Sequence, residues 1–389
     1  MTPAPTIDGR RAGRRLALFV ALVFATVGVY LPYWPLWLAD RGLDEPAIGL
    51  LLALGVSMRV LVGPLLARAA DRRGAHARLL GLLSLGVLLG YIAHLAATTF
   101  TALVVLALVC GAFWAAIMPI CDSLVLLHAG VHDLDYGRIR RWGSVAFLVT
   151  TLSAGFILRG RSPSLVLWLI LTPLALMVVA APLLPSPPRS DRRAAPRPIS
   201  ALLRLPWLVI FCGASALVYA SHGVLYGFAT IHWRSLGISE DRIGLLWTSG
   251  VLAEIALFSV GARLLTRLRP LQLALLAALA SVVRWLGLAT VTAFAGLLAL
   301  QSLHALSFGA IHLAAMAYLH RSLPPESSAT AQSLFAAATS GLGFAGGFFA
   351  AGALYGRHGG DAYLTMAALA GAAALILVVV DRRWPAPRL

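Results

Sequence analysis

Ile48 to Arg72 reads IGLLLALGVSMRVLVGPLLARAADR, and Ile243 to Arg267 reads IGLLWTSGVLAEIALFSVGARLLTR, an offset of 195 residues (243 − 48). Nine of the 25 aligned positions are identical, and upstream Gly28, Gly42 and Glu45 fall on Gly223, Gly237 and Glu240. Two copies of one helix-loop-helix unit half a chain apart mean a duplicated architecture. One matched position departs sharply, with Arg59 in the first copy and Glu254 in the second. Each is a lone charge in a long apolar run. A charge at bilayer depth costs roughly 2.5–3.5 kcal/mol on insertion scales, so it is kept where it has a partner or a task.

Outward from this repeat the chain is 60% hydrophobic and 12% charged, with a mean hydropathy of +0.86. Those values lie outside the range of soluble domains. The apolar runs are near the 20 residues that a hydrocarbon core of about 30 Å requires of a helix. All 31 basic residues are arginine and the net charge is +16. A nucleic-acid partner is the less economical reading, because the arginines fall in alternate short loops. Cys110, Cys121 and Cys212 lie in apolar runs without CxxC spacing, which supports neither a disulfide framework nor a zinc site. The apolar run after MTPAPTIDGRRAGRR is too long for a signal peptide and reads as a retained first span.

Twelve spans are predicted, at 16–38, 47–68, 78–97, 99–127, 140–160, 164–184, 206–233, 242–265, 271–290, 293–319, 325–355 and 361–380. With the N-terminus inside, 23 of the 31 arginines are cytoplasmic, six are in outer loops, and Arg59 and Arg284 lie within spans. This bias places both termini in the cytoplasm, against the run of Arg159 and Arg161 in an outer loop. The only Pro/Arg-rich polar connector is 185–204, PSPPRSDRRAAPRPISALLR. It divides the chain into an N-terminal bundle (1–184), a cytoplasmic linker (185–204) and a C-terminal bundle (205–389), six spans in each half.

Asp71, Arg72 and Gly74, between spans 2 and 3, join an acid, arginines and a helix-stopping glycine. Such a set can bond helix ends and neighbouring loops as a gate latch. This resembles the major facilitator signature, and the second copy keeps Arg263 and Arg267 but has Thr266 where the Asp would be.

Polar and aromatic residues inside spans are the candidates for function. Span 1 carries Tyr30, Tyr33, Trp34 and Trp37, and span 7 carries Tyr219, His222, Tyr226 and Trp233. In span 4, Trp114, Met118 and Asp122 recur every four residues and share a face; His304, Phe308 and His312 do so in span 10. Aromatics of this kind also serve as interfacial belts and packing. Tyr219 and Tyr226 are expected to face a cavity, since lipid solvates a polar stripe poorly. Asp122, Arg140, Glu254, Arg284 and His304 form the ionisable set. Singly, each admits a structural role: a helix end, a topology residue, a packing ion pair, or a histidine bonded to a carbonyl. Together, a carboxylate and a guanidinium on adjacent helices can hold a polar or anionic solute. A carboxylate near a His and an Arg can be loaded and unloaded with a proton.

The segment 135–147, DYGRIRRWGSVAF, resembles the helix 4–5 junction of the phenylpropionate permease family. So do Ala253-Glu254, Val283-Arg284-Trp285, Leu303-His304 and His312-Leu313-Ala314-Ala315-Met316. That family is similar to lactose permease and its oligosaccharide/proton relatives. The resemblance implies that Asp122 and Arg140, eighteen apart (140 − 122), bind solute. It also implies that Arg284 and His304 couple transport to protons, with Glu254 within about a turn of the family's span 8 carboxylate. Ser307 stands where the family has a proton-carrying carboxylate, so coupling would use Glu254, Asp122 or His304.

Two motifs suggest other chemistries. Gly341-Leu342-Gly343-Phe344-Ala345-Gly346-Gly347 contains GxGxxG, but without a preceding strand, so helix packing is the better reading. His128, His132 and Asp133 are expected in a short cytoplasmic loop, where solvation outweighs metal binding, and no enzyme is inferred.

The expectation is an all-α integral membrane protein of the major facilitator fold, twelve helices in two pseudo-symmetric six-helix bundles around a midplane site. The resemblance implies proton-coupled uptake of a small aromatic carboxylate across a bacterial inner membrane by a functional monomer. No cofactor, metal or nucleic acid is involved. Solute would meet Asp122, Arg140, Trp114, Tyr30, Trp34, Tyr219 and Tyr226; Glu254, Arg284 and His304 would couple protons. Asp71, Arg72 and Gly74 would gate, and Arg59 remains a charged intramembrane residue. Sugar or nucleoside symport and drug efflux stay open as alternatives.

Overall fold

The computed structural model describes residues 9–132, 134–186 and 199–384, excepting the side chains of residues 71, 262, 325, 326 and 329. The N-terminal bundle contains α1 (Gly9–Asp40), α2 (Glu45–Leu61, continued as Gly63–Arg73), α3 (His76–Ala93), α4 (Phe100–His132), α5 (Tyr136–Leu158) and α6 (Leu165–Leu183). A short helix, Ile199–Leu203, precedes α7 (Pro206–Ser235), α8 (Glu240–Arg267), α9 (Pro270–Thr290) and α10 (Phe294–Ser322). The last two are α11 (Pro325–Ala336, Ala337–Gly343 and Phe344–His358) and α12 (Ala362–Arg383).

Among the described residues, ten stretches are long and apolar enough to cross a membrane, and eleven if α2, bent by 41° between its two parts, is one span. The last, Thr330–Arg383, has 54 residues. As one rod it would extend about 80 Å at 1.5 Å per residue, far more than a bilayer. Gly359 breaks it with φ +54°, and α11 and α12 both pack against the Pro206–Ala220 part of α7. They therefore lie side by side, which makes twelve.

The repeat is visible in the turns. Gly42 and Gly237 have φ of +79° and +77°, a left-handed conformation that glycine adopts without strain. Glu45 and Glu240 then open α2 and α8, where an acidic side chain complements the helix dipole.

By contacts, one compact unit comprises Met1–Asp40 with Leu54–Arg192, and the other Arg41–Ala53 with Arg193–Leu389. The first part of α2, up to Ala53, thus groups with the second unit. Gly49 explains it: a Cβ there would lie 2.6 Å from the Phe348 carbonyl of α11, so only glycine lets the backbones meet.

In the first unit α1 runs along α5 and α6. Pro32 lacks an N–H, which frees the Gly28 carbonyl four residues earlier. The Thr151 hydroxyl of α5 donates to that carbonyl at 2.7 Å, and the Tyr33 hydroxyl donates to the Thr151 carbonyl at 3.1 Å. Pro119 likewise frees the Ala115 carbonyl, and α4 is broken at Ala115 and Ala116. In the second unit α9 packs on α12 through Ala274, Ala277, Ala278, Ala370 and Ala373, all fully buried. Small side chains allow the close approach that drives helix association in lipid.

His128 and His132 lie in the last turns of α4, their rings 5.9 Å apart, rather than in a loop. The helix runs on through Gly130 to His132. Asp133, the Asp71 side chain and linker residues 187–198 lie outside the described residues. Gly74 ends α2 at φ +58°.

Candidate functional site

The first unit joins Asp122 and Arg140. Asp135 caps α5, its side chain accepting from the Arg138 amide at 3.1 Å, and this starts the helix that carries Arg140. The Arg140 Nε lies 3.8 Å from Asp122 Oδ1, while the Tyr136 hydroxyl donates to the same oxygen at 3.2 Å. Arg140 also reaches Met118 Sδ at 3.8 Å and places its guanidinium 4.7 Å from the Phe24 ring centre. The two side chains are about 30% exposed, so the pair is open to a solute.

Trp114 lies just before the two-residue break of α4 at Ala115 and Ala116. Tyr30 and Trp34 belong to a separate cluster of α1 and α3, with Trp34 against Trp37 at 4.6 Å and Tyr91 and His94 both at 5.2 Å. Burial leaves Trp34 6% exposed. Arg59 is exposed and makes no ion pair among the described residues. Its helical face carries Gly55 and Gly63, both against α4.

The second unit assembles Glu254, Arg284 and His304. Arg284, 1% exposed, is held by three acceptors on α10. One amino group donates to His304 Nδ1 at 3.0 Å and to Ser307 Oγ at 2.9 Å; the other donates to Gln301. Arginine only donates, so His304 Nδ1 is the acceptor and its Nε2 carries the proton of the neutral ring. That Nε2 faces Glu254 Oε2 at 3.7 Å. A π-helical turn at Ala305–Gly309 sets this up, a feature common at functional sites.

Aromatics wall the network. Phe308 stacks on His304 at 5.2 Å, and Tyr226 lies 6.2 Å from His304 and 5.9 Å from Trp247. Tyr219 packs among Phe308 and Phe344 at 5.1 and 5.3 Å. Both tyrosines are buried, at 2% and 7% exposure, within the bundle. Sequence reasoning missed Gln301, Tyr136 and Met118 as partners. Gln301 stood three residues before His304, a spacing that places both on one helix face. Among the described residues no group of three or more His, Cys, Asp or Glu is placed to hold a metal ion.

The sequence matches the MFS_1 like family over residues 14–365. The chain belongs to that family. This MFS_1 like protein is a multi-pass membrane transporter, and its relatives are transporters rather than enzymes. It is 32% identical over 311 residues to a probable 3-phenylpropionic acid transporter of Escherichia coli, covering 79% of this chain and 82% of that one. To a maltose permease of Geobacillus stearothermophilus it is 30% identical over 338 residues, covering 84% and 83%. Among solved structures, nucleoside transporter NupG superposes with a TM-score of 0.83 at 16% identity, covering 95% of this chain and 99% of that chain. A bacterial homologue of the human lysosomal transporter Spinster, inward-facing and unoccupied, gives 0.72 at 15% identity, covering 97% and 96%. These likenesses establish the major facilitator fold expected from the repeat.

Proposed function

We propose that the protein is a proton-coupled importer of a small aromatic carboxylate, working by alternating access in a bacterial inner membrane. The observation that carries this reading is the buried Glu254–His304–Arg284 network. A carboxylate at the end of a neutral His, itself tethered to a fixed cation, is a group whose proton affinity follows its surroundings. Glu254 takes the proton from the outer side and gives it up inside, and His304 carries its charge state to Arg284. On the first bundle, Asp122 and Arg140 contact the solute, which their exposure and neighbouring Tyr136 and Phe24 support. The aromatic-acid class rests on the relative from Escherichia coli. The arginine distribution supports cytoplasmic termini. The halves 1–184 and 205–389, joined by the linker 185–204, alternate in exposing the solute, Gly74 and Arg72 belong to the cytoplasmic gate, and one copy suffices.

A second reading is symport of a sugar or nucleoside, favoured by the maltose permease relative. Radiolabelled uptake in right-side-out vesicles separates them, using 3-phenylpropionate, maltose and uridine with and without an inward proton gradient. Gradient-driven accumulation of the aromatic acid alone is expected. Accumulation of maltose or uridine instead would overturn the substrate class, and indifference to the gradient would overturn coupling.

A further inference from the structure

Asp122 and Arg140 are joined loosely. Arg140 Nε lies 3.8 Å from Asp122 Oδ1, beyond hydrogen-bond distance. One amino group of Arg140 donates to Met118 Sδ at 3.8 Å, and a thioether is a weak acceptor. Other guanidiniums in the chain are held closely. Arg269 meets Asp381 at 2.9 Å, Arg234 meets Glu240 at 3.2 Å, and Arg284 donates to three acceptors. Arg140 therefore keeps the planar fork that takes a carboxylate through two parallel bonds. Both side chains of the pair are about 30% exposed, so the fork is open to a solute.

An ionised solute on that fork lies beside Asp122, because two acids then share one guanidinium. The pair alone is neutral; with the solute it carries one net negative charge inside a membrane span, where charge is costly. Two carboxylates at one site do not both stay ionised. A proton on Asp122 restores neutrality, and its acid hydroxyl then donates to the carboxylate that the ionised form repels. The Tyr136 hydroxyl, 3.2 Å from Asp122 Oδ1, donates to this side chain in either state. Arg140 and Tyr136 come from α5, Cys121 adjoins Asp122 on α4, and His76 of α3 lies 3.4 Å from the neighbouring Ser123. Arg68, Arg72 and Arg73 belong to the part of α2 that packs on α4, and among the described residues none is in an ion pair with Asp122. The charges of α1 lie toward its ends, and it brings the uncharged Phe24 over Arg140.

We infer that the solute carboxylate replaces Asp122 on Arg140 and that Asp122 takes up a proton as it yields the guanidinium. This deepens the proposed function and rests on its aromatic carboxylate reading. Solute and proton then favour each other's binding, and linkage makes the effect reciprocal. When the solute dissociates, Asp122 returns to Arg140 and releases its proton to water. Each carboxylate thus travels with a proton at Asp122 besides the one at Glu254. Glu254 remains the residue that lets the empty carrier return, so its Gln variant exchanges solute and proton together and moves neither net.

The test is the pH dependence of binding to the detergent-solubilised full chain. Equilibrium dialysis of labelled 3-phenylpropionate runs from about pH 6 to about pH 9, where the solute is ionised. The wild-type dissociation constant is expected to rise about tenfold per pH unit over the alkaline part of that range. Asn has the shape and the donor of the protonated acid. Asp122→Asn should therefore bind with a dissociation constant that varies less than about twofold with pH and lies below that of wild type at the alkaline end. Glu254→Gln should keep the wild-type rise. A second measurement needs no variant: 3-phenylpropionamide adds no charge, and its binding to wild type should not change with pH. A wild-type constant for the acid that is flat with pH, a rise that persists in Asp122→Asn, or equal rises for acid and amide would overturn the inference and leave coupling at Glu254 standing. So would loss of binding at every pH by an Asp122→Asn protein that melts as wild type does, since Asp122 would then meet the solute ionised. Wild type that binds neither compound would remove the aromatic carboxylate reading, and this inference with it.

Discussion

Arg284 and His304 are joined nitrogen to nitrogen, at 3.0 Å from the guanidinium to Nδ1. The contact fixes the imidazole as a neutral ring whose remaining N–H faces Glu254. In the coupling proposed above, Glu254 receives the proton and His304 ties it to Arg284.

Replacing Glu254 by Gln removes the group proposed to load and unload the proton while preserving its shape. Accumulation driven by a proton gradient should fall to the level of equilibration, while counterflow exchange of labelled for unlabelled solute remains within about threefold of wild type. Equal loss of both activities would assign Glu254 to binding or folding.

Arg284→Ala leaves His304, Ser307 and Gln301 facing an empty buried space. Hydrogen bonds to a charged group contribute about 1.5–3 kcal/mol each, so a large drop in the thermal midpoint of the detergent-solubilised protein is expected. A melting curve unchanged from wild type would mean that the network contributes nothing to stability.

Arg140→Ala should abolish uptake while surface labelling shows normal delivery to the membrane. Its partners are Asp122, Met118 and Phe24, all on the same half-exposed face. Tyr136→Phe, which loses only the hydroxyl bond to Asp122, should retain transport with a several-fold higher KM. Near-normal uptake by Arg140→Ala would reduce that residue to a topology role.

Two adjacent glycines of α11 should respond in opposite ways. A Cβ on Gly347 would sit 2.5 Å from the Ala220 carbonyl of α7, whereas one on Gly346 meets nothing within 4 Å. Gly346→Ala should stabilise by up to about 1 kcal/mol through helix propensity. Gly347→Ala should destabilise by about 1–3 kcal/mol through overpacking. Thermal melts of the two variants check the pair, and equal shifts would contradict the packing described.

The repeat made the fold legible from the sequence alone, because Gly42 and Gly237 need the same left-handed turn and Glu45 and Glu240 open the same helix. The pairs Asp122–Arg140 and Arg284–His304 were legible through the resemblance to the phenylpropionate permease family, and the structure brings each pair together. What periodicity could not give was the course of the helices near their breaks. A four-residue spacing groups Trp114 with Met118 and Asp122, and it does not announce the two-residue break at Ala115 and Ala116 that Pro119 brings by freeing the Ala115 carbonyl. Tyr219 and Tyr226, expected to face a cavity, are buried against Phe308 and Phe344, neighbours that a spacing on one helix does not reveal.

The most direct measurement is the pH of a weakly buffered, de-energised suspension of cells expressing the protein, recorded as 3-phenylpropionate is added. Cotransport draws protons inward with the solute, so a transient alkalinisation of the medium is expected, absent in cells expressing Glu254→Gln. Uptake of the labelled acid with no accompanying pH change would contradict coupling through Glu254, His304 and Arg284.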